Sequence, residues 1–108
     1  MTTLLGQWAL TMTTPIGRIH AEANFSAVDD VISGTAAGKG ETVQLHNIRS
    51  EPTDGGAERV TWSQSITKPM RLNLDFDVVI ESDEMRGYSR AGRLPRSAVT
   101  GRRISSAD

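Results

Sequence analysis

Few residues in this sequence are of types that do chemistry. The two histidines are His20 and His46. On an alternating strand each falls in the polar phase, and His20 shares its face with Glu22. A metal site needs three or four ligands converging at about 2.0–2.2 Å. No third ligand joins these two, so no metal is expected. Each ring reads as a solvated surface group, able to act as an acid or base only if its face turns inward. Asp75 and Asp77 are two apart and therefore share a strand face. Paired carboxylates in a dry cleft split their pKa values and do general acid–base work. Here they alternate with Leu74, Phe76 and Val78, which claim the core, so a solvated face is expected.

Charge is unevenly placed. Residues 85–108 hold Arg86, Arg90, Arg93, Arg96, Arg102 and Arg103 against Asp108 alone, a net of +5, while residues 1–84 carry −6. Such a run can bind a carboxylate or phosphate. Tyr88 is its only aromatic, which argues against stacking on single-stranded nucleic acid. With an overall charge of −1 no nucleic-acid partner is expected. The plainer reading pairs Arg86 and Arg90 with Asp75 and Asp77 across neighbouring strands, at roughly 0–1 kcal/mol each.

Two amides are more telling. Asn47 and Gln64 fall in the apolar phase of their strands. A buried amide without a partner costs about 1–3 kcal/mol, so it is satisfied or used. Beside Trp62 they are natural hydrogen-bond anchors for a ligand, with Tyr88 as a further contact near a rim. There is no cysteine, hence no disulfide, thiolate site or cysteine nucleophile. No nucleophile elbow, phosphate loop or dinucleotide fingerprint is present, and no cofactor is expected. Ala37-Gly38-Lys39-Gly40 lacks the spacing of a phosphate loop and reads as a hairpin turn.

The elements that must hold these residues are strands. At 108 residues the chain is one domain. Helical periodicity is nearly absent, while alternating segments recur between Gly, Pro, Asp and Ser clusters. Eight strands are predicted, at 5–13, 18–26, 31–37, 42–49, 57–66, 70–81, 84–91 and 96–104. Thr14-Pro15-Ile16-Gly17 suits a type I turn. Asp29-Asp30 and Ser82-Asp83-Glu84 suit hairpin ends, and residues 51–56 form the most loop-like stretch. Alternation gives each strand one buried and one wet face: Trp8, Leu10 and Met12; Ile19, Ala21, Ala23 and Phe25; Val43, Leu45 and Asn47; Val60, Trp62, Gln64 and Ile66; Leu72, Leu74, Phe76, Val78 and Ile80.

The halves, about 1–52 and 57–108, are similar. Trp8 and Trp62, Thr13 and Thr67, and Pro15 and Pro69 all share an offset of 54. Four strands alone leave two open edges, and two copies can pair edge to edge. The expected fold is an all-β, eight-stranded antiparallel up-and-down barrel of two similar four-stranded halves, with a two-sheet sandwich as the alternative. An eight-stranded barrel is filled by side chains or holds one small ligand. Ala21, Ala23, Gly34, Ala36 and Gly87 make the inner set light, which leaves room for a pocket. The same residues equally fit bulges and tight curvature.

Gly6-Gln7-Trp8 opens the first strand, and Arg102 and Arg103 lie in the last. This resembles the calycin superfamily, the lipocalin-type barrels. The resemblance implies an arginine stacked on the Trp8 indole, closing one end of the barrel, with ligand entering at the other. The layout is also similar to short uncharacterised bacterial β-barrel proteins, which implies no activity.

The function expected is binding of a partly apolar small molecule inside the barrel, at Trp62, Gln64, Asn47 and Tyr88. One alternative is a small cofactor-free enzyme, an isomerase, cyclase or lyase using one acid–base residue in the cavity. Another is a structural or oligomerising module with a filled core. A homodimer would add buried area to a modest core. No apolar run reaches the ~20 residues of a membrane helix, and no secretory leader is apparent. A cytoplasmic protein without membrane contact is expected.

Overall fold

The structure is a computed structural model that describes residues 4–14, 17–67 and 71–106. It is all-β: β1 (Gly6–Thr14), β2 (Gly17–Val28), β3 (Val31–Gly38), β4 (Glu41–Gln44), β5 (His46–Pro52), β6 (Glu58–Ile66), β7 (Leu72–Glu81), β8 (Glu84–Ala91) and β9 (Ser97–Ser106). A short 3₁₀ turn, Asp54–Gly56, links β5 to β6. All pairings are antiparallel, in the order β4-β3-β2-β1-β9-β8-β7-β6-β5. The first strand thus pairs with the last, and the two edge strands are consecutive in the chain. The result is a nearly closed up-and-down barrel.

Among the described residues the strand count differs from expectation by one, nine rather than eight. The predicted strand at 42–49 is two strands, hinged at Leu45. β4 pairs with β3, and β5 pairs with β6. The Leu45 amide still donates to the Gly34 carbonyl at 2.9 Å, so the chain leaves one neighbour as it joins the other. A bulge follows. Asn47 sits at φ 56°, and the β5–β6 register slips between His46 and Arg49. The extra residue inverts the alternation: Asn47 is exposed, and Ile48 packs against the core in its place. The expectation that Asn47 points inward is therefore corrected. A second bulge lies in β9, where Ile104 is skipped between Trp8↔Arg103 and Gln7↔Ser105.

Hairpin chemistry follows the sequence. Asp29 and Asp30 both adopt positive φ, 52° and 65°, the turn whose twist matches the flanking strands. Ser82-Asp83 and Lys39-Gly40 close the β7–β8 and β3–β4 hairpins. Pro15 and Ile16, and with them the centre of the predicted type I turn, lie outside the described residues, as does Pro69.

Alternation sets the core elsewhere. Trp8, Leu10, Met12, Phe25, Leu45, Val60, Trp62, Leu74, Phe76, Val78, Ile80, Met85 and Val99 are buried in one cluster. Burying each such side chain contributes about 1.5–3 kcal/mol. Phe76 stacks on Trp62 with centroids 4.8 Å apart, and Phe25 meets Trp62 edge-on at 5.4 Å.

Candidate functional site

The two ends of the barrel differ. At the lower end, where the start of β1, the end of β9 and the β2–β3 and β7–β8 hairpin tips gather, Trp8 is fully buried and its Nε1 donates to the Leu4 carbonyl at 2.8 Å. The Arg103 guanidinium carbon lies 4.4 Å from the Trp8 ring centre. Its Nε donates to Asp83 Oδ1 at 2.8 Å and its Nη1 to the Leu5 carbonyl at 2.7 Å. Arg102, one residue earlier, is on the opposite face and exposed. Arg103 therefore closes this end and Arg102 does not. Glu58 is also buried here and accepts a hydrogen bond from Ser50.

Between the ends the barrel is filled. Small inner residues mark close approach, not emptiness: a Cβ on Gly34 would lie 3.0 Å from the Phe25 ring and from the Asn24 carbonyl oxygen. Ala23 is likewise fully buried.

Space remains at the upper end. A cavity of about 40 Å³ opens among Met12, Ile19, Ala21, Ala36, Val43, Gln64 and Ile66, with Lys39 and Glu41 at its rim. Glu41 ties the rim together, accepting from the Thr67 amide at 2.9 Å and from its hydroxyl at 2.5 Å. Gln64 is 7% exposed, and its Oε1 accepts from Trp62 Nε1 at 3.0 Å. An indole N–H only donates, so this contact fixes which way the amide is turned. Among the described residues no partner meets Gln64 Nε2, and no buried side-chain polar atom lacks one. Gln64 itself lines the cavity. One layer lower, Ser89 Oγ donates to Met12 Sδ at 3.6 Å, a weak acceptor.

A larger depression, about 770 Å³ and open to solvent, lies on the outer face of β5–β8. Asn47, Arg49, Thr61, Ser63, Asp75, Asp77, Tyr88, Arg90 and Arg96 are among the residues that border it. Asp77 is held by Arg59 through two hydrogen bonds, 2.6 and 2.9 Å. That contact lowers the Asp77 carboxyl below its ordinary range and raises the Arg59 guanidinium. Asp75 accepts from Ser63 at 2.8 Å and stands opposite Arg90. Arg86 stands opposite Val79 and pairs with Glu84 at 3.4 Å, so it does not reach the two aspartates as expected. Arg96 lies over the Tyr88 ring at 3.9 Å.

The predicted ligand set is thus divided. Trp62 and Gln64 are inside and bonded to each other. Asn47 and Tyr88 are outside, on the open depression. The rim residues Lys39 and Glu41 went unnoticed in the sequence, where Lys39 reads only as part of a turn. His20 and His46 are exposed, His20 Nδ1 within 3.2 Å of Thr11 Oγ1. Among the described residues no three His, Asp or Glu side chains could hold a metal, and no helix is long and apolar enough to cross a membrane.

No family model matches the chain, so the calycin resemblance rests on the Trp8–Arg103 contact and the barrel alone. No solved structure matches it. Over 85 residues, 74% of its length, the chain is 31% identical to protein ELYS of Homo sapiens, and spans 4% of that protein.

Proposed function

We propose that the chain is a small-molecule binding protein whose site is the upper mouth of the barrel. The ligand's head enters between Met12, Ile19, Ala21, Ala36, Val43 and Ile66, and Gln64 holds it. The rest of the ligand lies above, over the rim. The observation that carries this reading is Gln64, a buried amide that lines the cavity while its oxygen is taken by Trp62, which leaves the nitrogen to donate. A purely structural core would place an apolar side chain there or satisfy the amide fully. The filled barrel below the mouth limits the ligand to the upper layer and moves the site upward from the barrel centre. The same filled interior favours a second reading, a structural or oligomerising module. The enzymatic alternative has less support: among the described residues the titratable groups at the mouth are Lys39 and Glu41, and Glu41 is already engaged by Thr67.

Native mass spectrometry of the chain purified from its own source tests this. A co-purified small molecule that is lost in the Gln64→Leu variant is expected. A bare chain, with Gln64→Leu more stable than the parent, would favour the structural module. The same spectrum gives the subunit count, which decides whether the chain is a homodimer.

A further inference from the structure

The chemistry of the ligand's head follows from the mouth, on the reading that the mouth is the site. We infer that Gln64 binds a neutral carbonyl oxygen, carried on an acetyl-sized head such as that of an N-alkyl acetamide or a methyl ketone. The Trp62 indole occupies Gln64 Oε1. What is left to Gln64 is then its NH₂ group, which donates and cannot accept. A ligand offering only N–H donors has nothing to bond there.

Size narrows the class. About 40 Å³ is well above the ~10–15 Å³ that one water needs and well below the ~150 Å³ of a cavity that holds benzene. It admits the tip of a molecule, a methyl and a carbonyl, and not a ring. The small residues Ala21, Ala36, Ala37 and Gly38 leave room for a methyl group, while Met12, Ile19, Val43 and Ile66 complete an apolar lining.

Charge decides between a carbonyl and a carboxylate. Taking an ionised carboxylate from water into an apolar wall is costly unless a cation meets it. Among the described residues the rim carries one cation, Lys39, and one anion, Glu41. Their charges oppose each other, so an anion gains little net attraction. A neutral carbonyl needs one good donor, and Gln64 supplies it.

The test is a titration of the ¹⁵N-labelled chain with N-butylacetamide and, separately, with pentanoate. The resonances to follow are the Gln64 side-chain NH₂ and the Trp62 indole N–H. N-butylacetamide is expected to shift both, and Gln64→Met, similar in shape but without donors, is expected to weaken it about fivefold, the worth of one hydrogen bond. Pentanoate is expected to bind more weakly than the amide. Tighter binding of pentanoate would overturn the choice of a neutral head. Equal binding of N-butylacetamide to the parent and to Gln64→Met would overturn the role of Gln64 while leaving the mouth as a site. If neither probe moves any resonance around the mouth, the site itself is refuted, and the inference with it.

Discussion

The Arg103 guanidinium carbon lies 4.4 Å from the Trp8 ring centre, and both residues come from paired positions of β1 and β9. The contact joins the first strand to the last at the lower end of the barrel. Arg103 does three things there. It lies over the indole, donates to the Asp83 carboxylate, and donates to the Leu5 carbonyl. Cation–π contact contributes about 0.5–2 kcal/mol and a charged hydrogen bond about 1.5–3. Arg103→Met is expected to lower stability by about 2–3 kcal/mol in urea unfolding. Arg103→Lys should recover little of it, because an ammonium cannot stack and bridge in one plane. Full recovery by lysine would show that charge alone matters at this end.

A second prediction concerns Gly87. A Cβ there would collide with the Asp77 carbonyl oxygen and lie 2.6 Å from the Val78 Cα. Both are backbone atoms of the paired strand β7, so no rotamer change relieves the clash. Gly87→Ala is expected to cost about 1–3 kcal/mol, the range for overpacking a tight site. Its amide hydrogen exchange should speed up along β7 and β8 before the rest of the barrel. An unaltered melting curve would mean that the two strands separate freely at this point.

The backbone of Asn47 gives a third. At φ 56° a β-branched side chain is strained, whereas Gly and Asn tolerate the left-handed region. Asn47→Val is expected to destabilise by about 1–2 kcal/mol and Asn47→Gly by a few tenths at most. Since Asn47 is exposed, neither variant removes a core contact, and the difference between them isolates the bulge. Equal effects of the two would place the residue in ordinary extended conformation.

These residues also mark where the sequence was and was not informative. Leu74, Phe76, Val78 and Ile80 alternate strictly, and the hydrophobic effect leaves such a strand one way to face. Gln64 stood out because a polar residue in an apolar phase needs a partner. Asn47 looked the same and is not. One inserted residue shifts the period-two pattern by a step, and a sequence records the residues without recording which of them a partner strand skips. The available signal was Ile48, an apolar residue just out of phase beside an asparagine. The split of the fourth strand has the same origin, because Leu45 changes neighbours without a Gly or Pro to announce it. Lys39 and Glu41 became visible as a rim only once the β3–β4 turn was set beside Thr67.

The last prediction follows Arg59 and Asp77. The guanidinium holds the Asp77 carboxyl below its ordinary range. A carboxyl lowered on folding stabilises the folded state above its unfolded value, near 3.9, and that stabilisation is lost as pH falls through the lower folded value. Arg59→Gln removes the cause. A ¹³C titration of the Asp77 carboxyl should then return to the ordinary carboxylate range. Parent and variant should differ in urea midpoint above about pH 4 and converge in stronger acid. Both side chains are about half exposed, 51% and 52%, so added salt should shrink the gap at neutral pH. A gap that widens as pH falls would have the opposite sign, and would mean that Arg59 acts on another part of the barrel than Asp77.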